Sequence, residues 1–267
     1  MRAMGDKPRS ARESGQAAVE SAFVLPLFVF LILGILQLGL MHQARLMTKY
    51  AAYKAVRAGA LHNANEEKME RAAVAVLLPM VSQDRGGGEY IKTINSASDF
   101  KAKWGWNGVL TNKMPDANLK FAKVTVCGPL KNEFGGASKE VDFDDPKWST
   151  GGYEEWQRGQ RTKLRIQVTF NYRMPIPFAN WVIHATARNR EVPELLRMGK
   201  PTGSERSLAR KAGLSGDPYA DAARKGLYIM PIRATYTMRM QSNLYLTKNG
   251  LPEENKCIFT FVKESES

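Results

Sequence analysis

The chain has 267 residues, a formal net charge of +13 and only two cysteines, Cys127 and Cys257. Neither cysteine lies near the N-terminus, which excludes a lipoprotein anchor; an isolated pair forms one disulfide in an extracytoplasmic domain and means little in the cytosol. The basic balance suits an anionic neighbour such as lipid headgroups or cell-wall polymer, although a solvated basic surface accounts for it without one, and no nucleic-acid partner is expected.

A basic leader with Arg2, Lys7, Arg9 and Arg12 ends at Gly15, and Glu20 follows at the lip of an apolar run, Ser21 to Met41. That run carries no charge and only Ser21 and Gln37 as polar side chains. As a helix it extends about 30 Å, one bilayer core. It is about twice as long as the h-region of a secretory signal peptide, and no clear small-x-small cleavage site follows it. An unpaired carboxylate at depth in a membrane costs on the order of 2.5–3.5 kcal/mol, so Glu20 calls for a partner. A cut after Gly15 would make Gln16 an amino terminus one helical turn from Glu20, placing ammonium and carboxylate together at one end of the helix.

A basic leader, Gly15, four residues, Glu20 and a long apolar helix resemble the class III signal of type IV pilins and pseudopilins. The longer string GQAAVESAFVLPLFVFLILGILQLG, with Pro26 early in the span, followed by QARLMTKYAAYKAVRAGA, resembles the TadE-like minor pseudopilins of the tight-adherence (Flp, type IVc) pilus system. Ser21 departs from the aromatic that the family usually carries after the glutamate. The resemblance implies cleavage between Gly15 and Gln16 by a prepilin peptidase at the cytoplasmic face. It also implies a role for Glu20 and Pro26 in assembly, and partners among other pilins or pseudopilins, the inner-membrane platform and the lipid bilayer. Charge counting alone leaves orientation tied, because Arg45, Lys49, Lys54 and Arg57 follow the span as closely as the leader precedes it. The implied cut breaks the tie and puts the bulk of the chain outside. The chain is longer than expected of that family, so an insertion is expected.

Pro26 is expected to bend the span, and Gly34 and Gly39 to serve close packing. After Met41 the helix turns amphipathic to about residue 60. Ala44, Ala51, Ala52, Ala55, Ala58 and Gly59 form a small-residue face suited equally to a filament core or to the chain's own domain. Asn63-Ala64-Asn65 interrupts, and Glu66, Glu67 and Glu70 introduce a second helix to Leu78, stopped by Pro79. Arg85 to Tyr90 (RGGGEY) reads as a flexible loop, and Trp104-Gly-Trp106 as a turn with its rings packed inward.

From Phe121 the period becomes two. Ala122, Val124 and Val126, then Leu164 to Tyr172, then Ile232 to Met240 each alternate with polar residues, as in half-buried strands wet on one face. A fourth strand is expected at Lys256 to Val262. TFNYRMPIPFANWVI and IRATYTMRMQSN resemble the C-terminal strands of TadE-like proteins. Between them, about residues 188–226, lies the expected insertion, a basic solvated loop.

His42, His62 and His184 have no ligand-type neighbours at metal-binding intervals, and Asp142, Asp144 and Asp145 lack the glycine and closing glutamate of a calcium loop. No nucleophile elbow or phosphate-binding loop occurs, so neither catalysis nor a cofactor is expected. The expected fold is α+β and pilin-like, a long N-terminal transmembrane helix extending into an antiparallel β-sheet domain. Its segments are a leader at 1–15, a helix at 16–60, helix and loops at 61–120 and a β-rich domain at 121–267. The expected function is that of a minor pseudopilin. The alternatives are an uncleaved signal-anchored module holding an anionic polymer, and an anchored enzyme without recognisable motifs.

Overall fold

The computed structural model describes residues 13–84, 89–134, 140–144, 161–187, 218–246 and 251–258. The leader before Glu13, most of the basic insertion (188–217), the glycine run 85–88 and the tail beyond Ile258 lie outside them.

Helix α1, Glu13–Leu61, runs unbroken through Pro26, about 73 Å at the standard rise. It ends where Asn63 and Ala64 take left-handed conformations, φ 54° and 53°. The turn is pinned by Ala64 N donating to Gly59 O (2.9 Å) and Asn63 Nδ2 to Asn243 O (2.6 Å). The chain then reverses into α2, Glu66–Leu77, whose N-cap Asn65 accepts from Lys68 N. Pro79 sits in a 3-10 turn, Leu78–Met80, that closes α2. A small hairpin follows, β1 Ser82–Asp84 against β2 Glu89–Ile91, so Glu89 and Tyr90 belong to a strand and not to the expected loop. Two short helices, α3 Ala97–Trp104 and α4 Asn107–Leu110, flank Gly105. Trp104 and Trp106 both pack on the core, Trp106 at 5.8 Å from the Phe121 ring.

The main sheet has three antiparallel strands in the order β3 (Ala122–Gly128), β5 (Lys163–Arg173), β6 (Ile229–Arg239). Val124 pairs with Val168, and Val168 with Ala234. One face carries Leu164, Ile166, Val168, Phe170 and Tyr172, all fully buried or nearly so, under α1 and α2. Two-residue strands β4 (Glu140–Val141) and β7 (Leu244–Tyr245) pair separately. Helices α5, Ala179–Ala187, and α6, Pro218–Arg224, complete the described residues.

The opposite face of β5 is not wet. Gln167, Asn171 and Arg173 are 3–4 % exposed, because each meets a distant partner. Gln167 exchanges two hydrogen bonds with the backbone of Ile258 (2.8 and 3.0 Å). Asn171 donates to Lys120 O and accepts from the Tyr219 hydroxyl, and Arg173 pairs with Asp116 at 3.2 Å. On the edge strand β6 the expectation holds: Arg233, Thr235, Thr237 and Arg239 are exposed. Lys256 to Ile258 form no strand; the side-chain amide of Gln167 takes the place of a ladder partner. Residues 218–226, expected within the loop, contain α6 with Ala220 and Ala222 buried.

Two interior polar groups were not evident in the sequence pattern. Glu70, 7 % exposed, accepts from Lys120 Nζ (2.7 Å), Asn112 Nδ2 (3.2 Å) and Val124 N (3.4 Å), tying α2 to β3. Lys103, 4 % exposed, donates to Lys92 O at 3.1 Å. Burial, with Lys92 adding repulsion, lowers the Lys103 ammonium to about 8. The folded state therefore releases this proton earlier than the unfolded chain, and stability should rise with pH from about 8 towards the ordinary lysine value. In denaturant titrations of the detergent-solubilised protein, Lys103→Met should flatten the slope between pH 8 and 10. An unchanged slope would refute the assignment.

Candidate assembly interface on the N-terminal helix

Two halves of α1 divide by exposure. From Val19 to Leu36 nearly every large apolar side chain is open, with Phe23 77 % and Leu27 69 % exposed. From Gln37 onward one face is buried: Gln37, Ala44, Thr48, Ala51, Ala52, Ala55, Val56 and Ala60 are all fully covered. Their three-, four- and seven-residue spacing makes one stripe along about 35 Å of helix. The stripe seats on α2, β5 and β6. Small residues let the backbones approach, most closely at Gly59, where a Cβ would lie 2.7 Å from Leu164 Cδ2. The small-residue face thus belongs to the chain's own domain and not to a filament core. By contrast, a Cβ at Gly34 or Gly39 would meet nothing within 4 Å, so these glycines pack against no described part of the chain.

Gln37, counted in the sequence as part of the span, is the first residue of the seat. Its Oε1 accepts from Ile176 N at 3.1 Å. Beside it, burial pushes the Tyr172 hydroxyl up to about 12, with the Gln37 amide acting in the opposite direction, although the two groups do not meet in full hydrogen-bond geometry. The length exposed on all sides ends there, about 27 Å after Val19, close to one hydrocarbon core, while Leu38, 57 % exposed, continues the open side beyond it.

Gly15 and Gln16 stand in the first turns of α1, Glu20 is exposed on its surface, and Pro26 lies inside it. These four share one end of the helix. Cys127 and Cys257 are remote from them and are joined in a disulfide, Cα to Cα 5.5 Å. Among the described residues no three His, Cys, Asp or Glu side chains gather as metal ligands. His42 and His62 are exposed, and His184 is buried edge-on against Tyr228. Asp142 Oδ1 accepts from Asp144 N within a turn, and Asp145 lies outside the described residues. An open groove of about 590 Å³ is lined by Glu66, Glu67, Lys123 and Lys256. Its charges are mixed, two glutamates facing two lysines, which does not favour a polyanion.

A family model described as TadE-like protein matches residues 15–57. The match therefore covers the exposed half of α1 and most of its seat, and stops short of the sheet. No curated protein and no solved structure matches the chain. A TadE-like stretch suggests involvement in a Tad pilus system, and α1 is long and apolar enough to cross a membrane.

Proposed function

We propose that the chain is a minor pseudopilin, cut by a prepilin peptidase between Gly15 and Gln16 and taking part in assembly of a Tad (Flp-type) pilus or secretion pseudopilus that serves surface attachment. In this reading the span lies in the bacterial inner membrane. The N-terminus is cytoplasmic, the sheet domain periplasmic or extracellular, and the protein is a structural subunit without catalytic chemistry. The observation that carries it is the division of α1. An apolar stretch of bilayer length stands free of the domain, within the region of the TadE-like match, and continues without a break into a rigid seat. Because the small-residue face is occupied by the domain, contact with other pilins or the inner-membrane platform falls to Val19–Leu36, where Gly34 lies open.

Mass spectrometry of the N-terminus tests the first step. A chain beginning at Gln16 is expected, and Gly15→Leu should abolish the cut entirely, leaving the leader attached. An N-terminus that includes the leader in the wild-type protein would instead favour the uncleaved anchored module.

Glu20→Gln tests the second step. It keeps the side-chain shape and removes the charge, so cleavage should survive. A hydrogen bond between carboxylate and ammonium contributes about 1.5–3 kcal/mol, which amounts to about ten- to a hundredfold in docking. Sheared pilus fractions of the Glu20→Gln strain should therefore lose nearly all of the subunit. Wild-type incorporation would show that the charge takes no part in docking.

A further inference from the structure

We propose that α5 and the turn before it form a second membrane contact, with Phe178 and Trp181 inserted at the headgroup–acyl boundary of the leaflet nearest the domain. The inference rests on α1 spanning the bilayer. Met174–Ala187 (MPIPFANWVIHATA) contains no Asp, Glu, Lys or Arg. Phe178 and Trp181, 70 % and 58 % exposed, are the most exposed large apolar side chains among the described residues outside α1. The segment has a fixed inner side: Met174, Ala179 and His184 are buried, with Met174 N bonded to Tyr228 O and Asn180 N to Ile176 O. Its outer side is therefore presented and not merely loose.

Position along α1 decides what covers that side. The turn preceding α5 bonds to Gln37 through Ile176 N, at the residue where the domain begins to cover one face of α1, and α5 itself packs on α1. If Val19–Leu36 fills the hydrocarbon, the turn and α5 lie at its border. Trp and Phe side chains settle there, the indole N–H facing water and the ring facing lipid, and a short helix with one apolar side lies in the plane of the interface. A neighbouring subunit could cover the same rings, but among the described residues nothing aligns α5 with such a partner, whereas continuity with the span aligns it with lipid.

The full-length protein is reconstituted into phosphatidylcholine–phosphatidylglycerol vesicles whose acyl chains are brominated near the headgroup, and tryptophan emission is compared with that of Trp181→Phe. Trp181 is one of five tryptophans, so about one fifth of the emission should be quenched in the wild type, and that share should vanish in the variant. Phe28→Trp, in vesicles brominated near the bilayer centre, reports on the span itself. Quenching of the Phe28→Trp indole with none attributable to Trp181 would overturn this proposal and leave the span intact. Absence of both would overturn the span reading and this one together. A Trp181 shielded from aqueous acrylamide but untouched by bromolipid would be covered by protein, which also refutes the lipid contact.

Discussion

Removing the Cys127–Cys257 bond is expected to lower the unfolding free energy by about 4–5 kcal/mol, the chain-entropy value for a loop of this length. The cysteines are 130 residues apart in sequence, and the bond ties the end of β3 to a tail segment that belongs to no strand. Without it the described part of the tail is held by Leu251 in the core, Lys131 N bonded to Pro252 O, a long Lys131–Glu253 ion pair, and the two bonds between Gln167 and Ile258. Each of those hydrogen bonds is worth about 1 kcal/mol net. Denaturant unfolding of Cys127→Ser/Cys257→Ser beside the wild type measures the difference, and thiol labelling of the oxidised native protein should modify neither cysteine. Coincident transitions, or full labelling without reduction, would refute the assignment.

Gly59→Leu should prevent the domain from folding on α1, and Gly59→Ala should forfeit its helix-propensity gain and cost up to about 2 kcal/mol net. Alanine gains about 1 kcal/mol of helix propensity over glycine, but its methyl would sit 2.7 Å from Leu164 Cδ2 and 2.9 Å from Met69 Cγ. Overpacking of this kind costs about 1–3 kcal/mol. Met69 can bend away and Leu164, fully buried on β5, cannot do so as readily. Combining Gly59→Ala with Met69→Ala should therefore recover part of the penalty, visible as a coupling above about 0.5 kcal/mol in a double-mutant cycle of thermal melts. A Gly59→Ala protein more stable than the wild type by the full helix-propensity gain, about 1 kcal/mol, would mean that α1 does not approach the sheet this closely.

What the sequence made legible followed from strong periodic signals. The uncharged run after Glu20, the capped start of α2 at Asn65 and the alternation along β3, β5 and β6 each place an element near its observed bounds. The candidate site residues Gly15, Gln16 and Glu20 are defined by distance along the chain from that run, and the structure places them in the first turns of α1. The misread parts depend on partners far away in sequence. Gln167 and Asn171 read as solvent-facing because the groups that bury them lie 91 and 48 residues away. PIPFANWVI read as the continuation of β5, since two prolines and a run this short mask helical periodicity; after Arg173 the chain turns and coils into α5. Gln37 read as one polar residue within the span, when it is the first residue of α1 that the domain buries. The strands of two and three residues had no pattern to show.

One feature of α1, its passage without a break from the exposed apolar half into the seat, governs how force travels through the molecule. A pull along the axis at the N-terminal end meets no hinge in the described helix. It loads the stripe from Gln37 to Ala60 in shear along its whole length, so that its contacts must yield together. Peeling would open them one turn at a time. A subunit drawn outward by its anchor would thus carry its domain as one stiff body, the weakest points being the two aromatic rings that α5 must lift from the membrane surface.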